Sequence, residues 1–99
     1  METALTHDAF AQQVNSKFQV EVDENIAVEL ELVHVSELKL YPQQEEFVVV
    51  FRGPSDMFLD QGGRNFKHDK MGQFELFIVP VQQDAQGIYY EAIFNRLRD

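Results

Sequence analysis

Residues 17–35 read KFQVEVDENIAVELELVHV, and the apolar side chains recur at every second position. A period of two belongs to a half-buried strand and to nothing helical. In KFQVEV (17–22), Phe18, Val20 and Val22 fall on one face, and Lys17, Gln19 and Glu21 on the other. Asp23, Glu24 and Asn25 read as a short turn, which makes the next segment an antiparallel partner. IAVELELVHV (26–35) repeats the pattern, with Ile26, Val28, Leu30 and Leu32 inward and Glu29 and Glu31 outward. At Val33, His34 and Val35 the phase flips, as it does where a strand carries a bulge or bends around a small barrel.

The remaining segments extend the β reading. SELKLYPQQEE (36–46) is expected to be a connection in which Pro42 breaks any ladder. EFVVVF (46–51) and FELFIVPV (74–81) are apolar on both faces, the pattern of strands covered from both sides. RNFKHD (64–69) reads as a short strand, followed by a turn at Lys70, Met71 and Gly72. QQDAQG (82–87) reads as a loop, and IYYEAIFNR (88–96) as a last strand that sends Ile88, Tyr90, Ala92 and Phe94 to one face, with a tail at 97–99. Ahead of all the strands, Thr6 is positioned to cap a short helix. Asp8 stands in its first turn, Leu5 can staple onto Phe10, and Ala9, Phe10 and Val14 form its apolar stripe up to Asn15 and Ser16. So short a helix must lie on something to persist.

The expected architecture is mainly β (α+β by count): a compact antiparallel barrel or strongly curled sheet of about six strands with one short N-terminal helix. The alternative is an open α+β sheet with the helix across one face. Residues 1–99 are one domain, because 99 residues cannot divide into two useful cores. The composition is 44% hydrophobic with nine Phe, which suits a filled core.

By residue 94 a resemblance has accumulated. LTHDAF (5–10), FRGP (51–54), Gln61 with Gly62, His68 followed by Met71 and Gly72, LFIVPV (76–81) and YEAIFN (90–95) together resemble a family of small uncharacterised bacterial proteins built on a domain of unknown function. The resemblance implies, as a weak association, a link to phage-tail-related gene products. The resemblance covers nearly the whole chain. It implies no reaction, cofactor or substrate, and its association tilts the reading toward an interaction role.

Charge and residue types narrow the function further. The net charge is −9, of which residues 1–50 carry −8. Such a chain is repelled by phosphates and by anionic lipid surfaces, so neither nucleic acid nor membrane is an expected partner. The acidic side chains read as solvated faces, or as a surface for a basic protein. No Cys is present, which removes thiolate chemistry and suits a reducing cytoplasm. The N-terminus shows no secretory pattern and no apolar run is long enough for a membrane helix, so a cytoplasmic location is expected.

Catalysis finds no pattern to stand on. His7, His34 and His68 lack metal-ligand spacing, and Ser16, Ser36 and Ser55 lack a nucleophile elbow. A His68–Asp69 or His34–Glu couple is the remaining general-base option. Gly62, Gly63 and Arg64 lack the lysine and the following helix of a phosphate loop, and read as a turn needing positive φ. Arg52, at the end of an apolar run and before Gly53 and Pro54, is expected to pair with a carboxylate or with loop carbonyls. No catalytic residue, metal ligand or cofactor site is therefore assigned.

The place where function could be written is FRGPSDMFLDQGG (51–63), because turn formers and acids bracket three large apolar side chains, Met57, Phe58 and Leu59. Either they fold back and plug one end of the barrel, or at least one stays exposed as an interaction loop. The expected function is a non-enzymatic binding or assembly protein that recognises another polypeptide, with self-association into a homo-oligomer as one form of it. A small-ligand carrier using the barrel interior, and a minor enzyme, are the alternatives.

Overall fold

The computed structural model describes residues 5–97. Helix α1 (His7–Ala11) is followed by strands β1 (Lys17–Asp23), β2 (Ile26–Val35), β3 (Lys39–Tyr41), β4 (Gln44–Gly53), β5 (Gly62–His68), β6 (Gly72–Asp84) and β7 (Gly87–Leu97). All pairings are antiparallel, in the order β2–β1–β5–β6–β7–β4–β3. A further β2–β4 pairing closes six of these strands into a barrel. The barrel and its short helix are as the alternation predicts. Of the expected tail, Leu97 ends β7, and positions 98 and 99 lie outside the described residues.

The inward positions are the alternating apolar ones. Phe18, Val20, Leu30, Leu32, Phe47, Val49, Phe51, Phe66, Ile78 and Tyr90 are all buried. Their rings interlock: Phe18 meets Phe51 edge-on with centroids 5.2 Å apart, and Phe66 stacks on Phe74 at 5.7 Å. The interior is a packed core and not a lumen. The phase flip in β2 is a bulge, since the register with β4 shifts between Leu32 and His34.

Two expectations fail. Residues 36–46 are not a plain connection, because β3 pairs with β4 as Lys39↔Glu46, Leu40↔Glu45 and Tyr41↔Gln44. The backbone N–H of Ser36 donates to Val48 O and its hydroxyl accepts from Val48 N–H, so β2 and β3 follow the same edge of β4 in succession. They form one long interrupted hairpin arm. Pro42 sits in the tight turn at its tip, where no ladder donor is required, so it terminates the arm without breaking it.

The second failure concerns β6, which is not covered from both sides, whereas the outward Val48 and Val50 of β4 are half-buried. Phe77 and Val81 keep 60% and 51% of their surface exposed, and Ile93 on β7 keeps 63%. The reason is where the helix goes: α1 closes one end of the barrel and leaves the outer faces bare. Strand β6 also runs beyond the expected 81 to Asp84, taking in Pro80 at a register shift between Pro80 and Gln82. A bulge is where a strand tolerates the missing N–H.

The helix is capped as expected but is shorter: it ends at Ala11, so Val14 lies beyond it and is exposed. Thr6 Oγ1 accepts from Ala9 N–H at 3.1 Å, and Phe10 is fully buried beneath Phe47, Phe74 and Phe94. Asn15 then takes φ +76, and residues 15 and 16 bond Leu32, which leads the chain into β1.

Candidate functional site

In the closed ring the strands follow one another as β1, β2, β4, β7, β6 and β5, so β4 and β5 stand opposite each other. They are consecutive in the barrel's chain order. The connection between them, residues 54–61, must therefore cross the barrel mouth at the end away from α1. A segment that crosses an apolar mouth needs inward apolar cover, and that is the physical answer to three large apolar residues in a loop of turn formers.

The three residues divide between the two expected roles. Leu59 is buried at 2% exposure and is the plug. Phe58 is 59% exposed and Met57 36% exposed, so the loop presents an aromatic ring and a flexible thioether to solvent. Tyr90, rising from β7 beneath the loop, fixes this split. Its hydroxyl accepts from Leu59 N–H at 3.0 Å and donates to Met57 O at 3.4 Å, bonding the chain on both sides of Phe58. Burial pushes the Tyr90 phenol above its ordinary range, partly offset by the Leu59 bond and by Arg64. Arg64 Nη2 donates to Asp60 O, tying the far end of the loop to β5. Phe58 is therefore held out by a braced backbone.

The flanking residues of the FRGP segment serve the same end of the barrel. Arg52 Nη2 bonds Glu31 Oε1 at 2.8 Å across the β2–β4 pair, as its position before the turn predicts. Gly87 has φ +148, and a Cβ there would lie 2.2 Å from Gly53 O, so the β6–β7 turn can approach β4 only through a glycine.

One close pair has the outline of a catalytic couple. Ser16 Oγ lies 2.9 Å from His68 Nε2, a meeting of residues 52 positions apart that no spacing rule could reveal. The remaining bonds decide its polarity. His68 Nδ1 accepts from both Lys70 N–H and Met71 N–H, so the ring proton must reside on Nε2. Nε2–H then donates to Ser16 Oγ, and the hydroxyl donates to Gln13 O at 2.6 Å. The imidazole is the donor in this contact, so it has no lone pair to take the serine proton. Burial lowers the His68 pKa below its ordinary value, with Asp69 opposing and Lys70 assisting, and its ring lies 4.2 Å from Phe18.

The same bonds explain the His68, Met71, Gly72 combination. The imidazole caps the backbone of the β5–β6 turn, Met71 is buried, and Gly72 takes φ +77 to reverse the chain. Of the other histidines, His34 is exposed on β2, and His7 Nε2 donates to Ser36 O at 2.8 Å. Among the described residues no three His, Asp or Glu side chains converge to hold a metal ion. No helix there is long and apolar enough to cross a membrane.

Gly62, expected in a turn, has φ +153 and opens β5 directly after the loop. Helix α1, the loop, the strands around it and the capped β5–β6 turn thus place each short segment singled out in the sequence. No curated protein and no solved structure matches the chain. Residues 5–94 match the family described as Domain of unknown function (DUF6916), and the chain belongs to that family.

Proposed function

We propose that this domain is a non-enzymatic binding or assembly protein that recognises another polypeptide through the loop at residues 54–61. The observation that carries the reading is Phe58: an aromatic ring 59% exposed on a backbone bonded on both sides by one buried tyrosine. An exposed aromatic on a braced loop loses little conformational freedom on binding, which is how interface anchors gain affinity. Met57 beside it supplies an adaptable apolar contact. A bacterial origin, an association with phage-tail gene products and a cytoplasmic location belong to the same reading, as does self-association as one form the recognition can take. A carrier would need the volume that Phe18, Phe51 and Phe66 fill. An enzyme built on Ser16 and His68 would need the proton on the other partner.

The test is the double variant Met57→Ser, Phe58→Ser. It is expected to lose no more than about 1 kcal/mol of stability, because Phe58 stands mostly in water and Met57 is only partly covered. It is also expected to lose either self-association in sedimentation experiments or a stoichiometric partner captured from the host. Parental association in the variant overturns the reading, and a large fall in melting temperature returns the loop to a purely structural plug.

A further inference from the structure

The barrel is closed unevenly. Five of its six seams carry four or more ladder pairs, but β1 and β5 meet only at Gln19↔Lys67 and Val20↔Phe66. Beyond that point Glu21 and Asp23 pair only with β2, across a bulge at Val22, and residues 62–65 only with β6. Both stretches remain strand, so each presents an edge of main-chain donors and acceptors to the gap. The gap opens toward the mouth that the 54–61 loop crosses. A groove of about 770 Å³, lined on β5 by residues 65–67, lies beside its inner end.

The groove has two chemical levels. Beneath it lies the half-buried Phe74, stacked at an interplanar angle of 16° on Phe66, which belongs to the core. Its rim carries the carboxylates of Glu21, Asp23, Glu24 and Glu75, against the single cation Lys67. None of those four carboxylates takes part in an ion pair among the described residues; the three ion pairs there use Glu29, Glu31 and Glu45. A strand lying between two strand edges sends alternate side chains up and down. Here up means acidic and down means aromatic.

We infer that the β1–β5 seam accepts an extended segment of a partner polypeptide, roughly four residues long, whose side chains alternate between basic and apolar. Its backbone completes the ladders of residues 21–23 and 62–65. Its lysines or arginines face Glu21, Asp23 and Glu75, and its apolar side chains face the half-buried Phe74. The charge of the first half of the chain, −8, favours the approach of such a segment and disfavours a second copy of this domain as its source. The inference does not rest on the Phe58 loop, which is a separate surface at the same end of the barrel.

The test uses the full chain, labelled with ¹⁵N, and an acetylated and amidated octapeptide of alternating valine and lysine. Saturable amide shifts are expected at residues 21–23 and 62–65, together with slowed hydrogen exchange there. A peptide with glutamate in place of lysine is expected to bind at least about tenfold more weakly, and so is one with proline at two central valines, which removes ladder donors. The variant Glu21→Gln, Glu75→Gln should weaken the lysine peptide several-fold with an unchanged melting temperature, whereas Phe58→Ser should leave peptide affinity unchanged. Equal binding of the proline peptide overturns strand addition, and equal binding of the glutamate peptide overturns the charge assignment. Shifts confined to other surfaces, or no saturable change at millimolar peptide, overturn the site.

Discussion

At one end of the barrel Phe10 enters from a helix, loses all its exposed surface and meets three other rings. At the other end Leu59 enters from a loop, and much of what holds that loop is hydrogen bonding to Tyr90 and Arg64. The first closure is apolar packing, which is non-directional and scales with buried area. The second is directional, and it fixes where the neighbouring side chains point. A stopper made by packing can only close an end, whereas one braced by its backbone can close it with Leu59 and still hold Phe58 outside. The difference separates stability from display along the axis of one small barrel.

The comparison is broken most directly at Phe10. Phe10→Ala should cost about 3–5 kcal/mol, because a fully buried ring leaves a cavity that rigid β-strands cannot collapse to fill. Urea denaturation of parent and variant measures this. A loss under about 1 kcal/mol would mean that the helix is peripheral and that the two ends do not differ as described.

Tyr90→Phe probes the other end at almost constant volume. Removing the hydroxyl leaves Leu59 N–H and Met57 O without a partner beneath the loop, which should cost about 1–3 kcal/mol. Amide exchange sharpens the result: protection should fall across 54–61 and persist in the strands. Uniform loss of protection through the whole barrel would mean that Tyr90 supports the core and not the loop in particular.

At the helix end, Gly72 carries the turn that His68 caps. Gly72→Val places a β-branched residue at φ +77 and should cost more than about 1 kcal/mol through backbone strain. An unchanged thermal midpoint would mean that the turn relaxes without penalty.

How much of this was legible in the sequence depends on the range of the forces involved. The inward faces of β1, β2 and β7 follow from alternation, because one buried face imposes period two wherever it occurs; only Ile26, expected inward at the open end of β2, is exposed. Thr6, Gly72 and the β2 bulge were also readable, since capping, positive φ and phase shifts are local events. The β3 arm is not legible, because Pro42 reads locally as a ladder breaker whether it stands in a strand or in the turn that it occupies. The two-sided apolar pattern of β6 misleads because an outward Phe77 or Val81 has the same local signature as a covered one. The candidate site was half legible: its three apolar residues stood out, but their division depends on Tyr90, 31 residues from Leu59. The Ser16–His68 contact and the thin β1–β5 seam have no local signal at all, because both arise from closure of the ring.

The smallest expected effect, and the one with a definite sign, belongs to His68. Its pKa is lowered in the folded protein, chiefly by burial. In the unfolded chain an imidazole titrates near its ordinary value of about 6.5. As pH falls through that value the unfolded chain takes the proton first, because protonating Nδ1 in the fold would oppose a new N–H to the Lys70 and Met71 N–H groups. The contribution is therefore full above about pH 6.5 and is lost as pH falls below it toward the lowered folded value. His68→Asn offers a carbonyl oxygen for the same two N–H groups but does not titrate. It should be less stable than the parent at pH 7.5, through loss of the Ser16 bond, and the gap should narrow at pH 5.5. Carboxylates titrating over the same range act on both proteins and cancel in the difference. Melting curves of the two proteins at both pH values read this out; a gap that stays constant or widens on acidification would mean that the imidazole is not held neutral as the turn's acceptor.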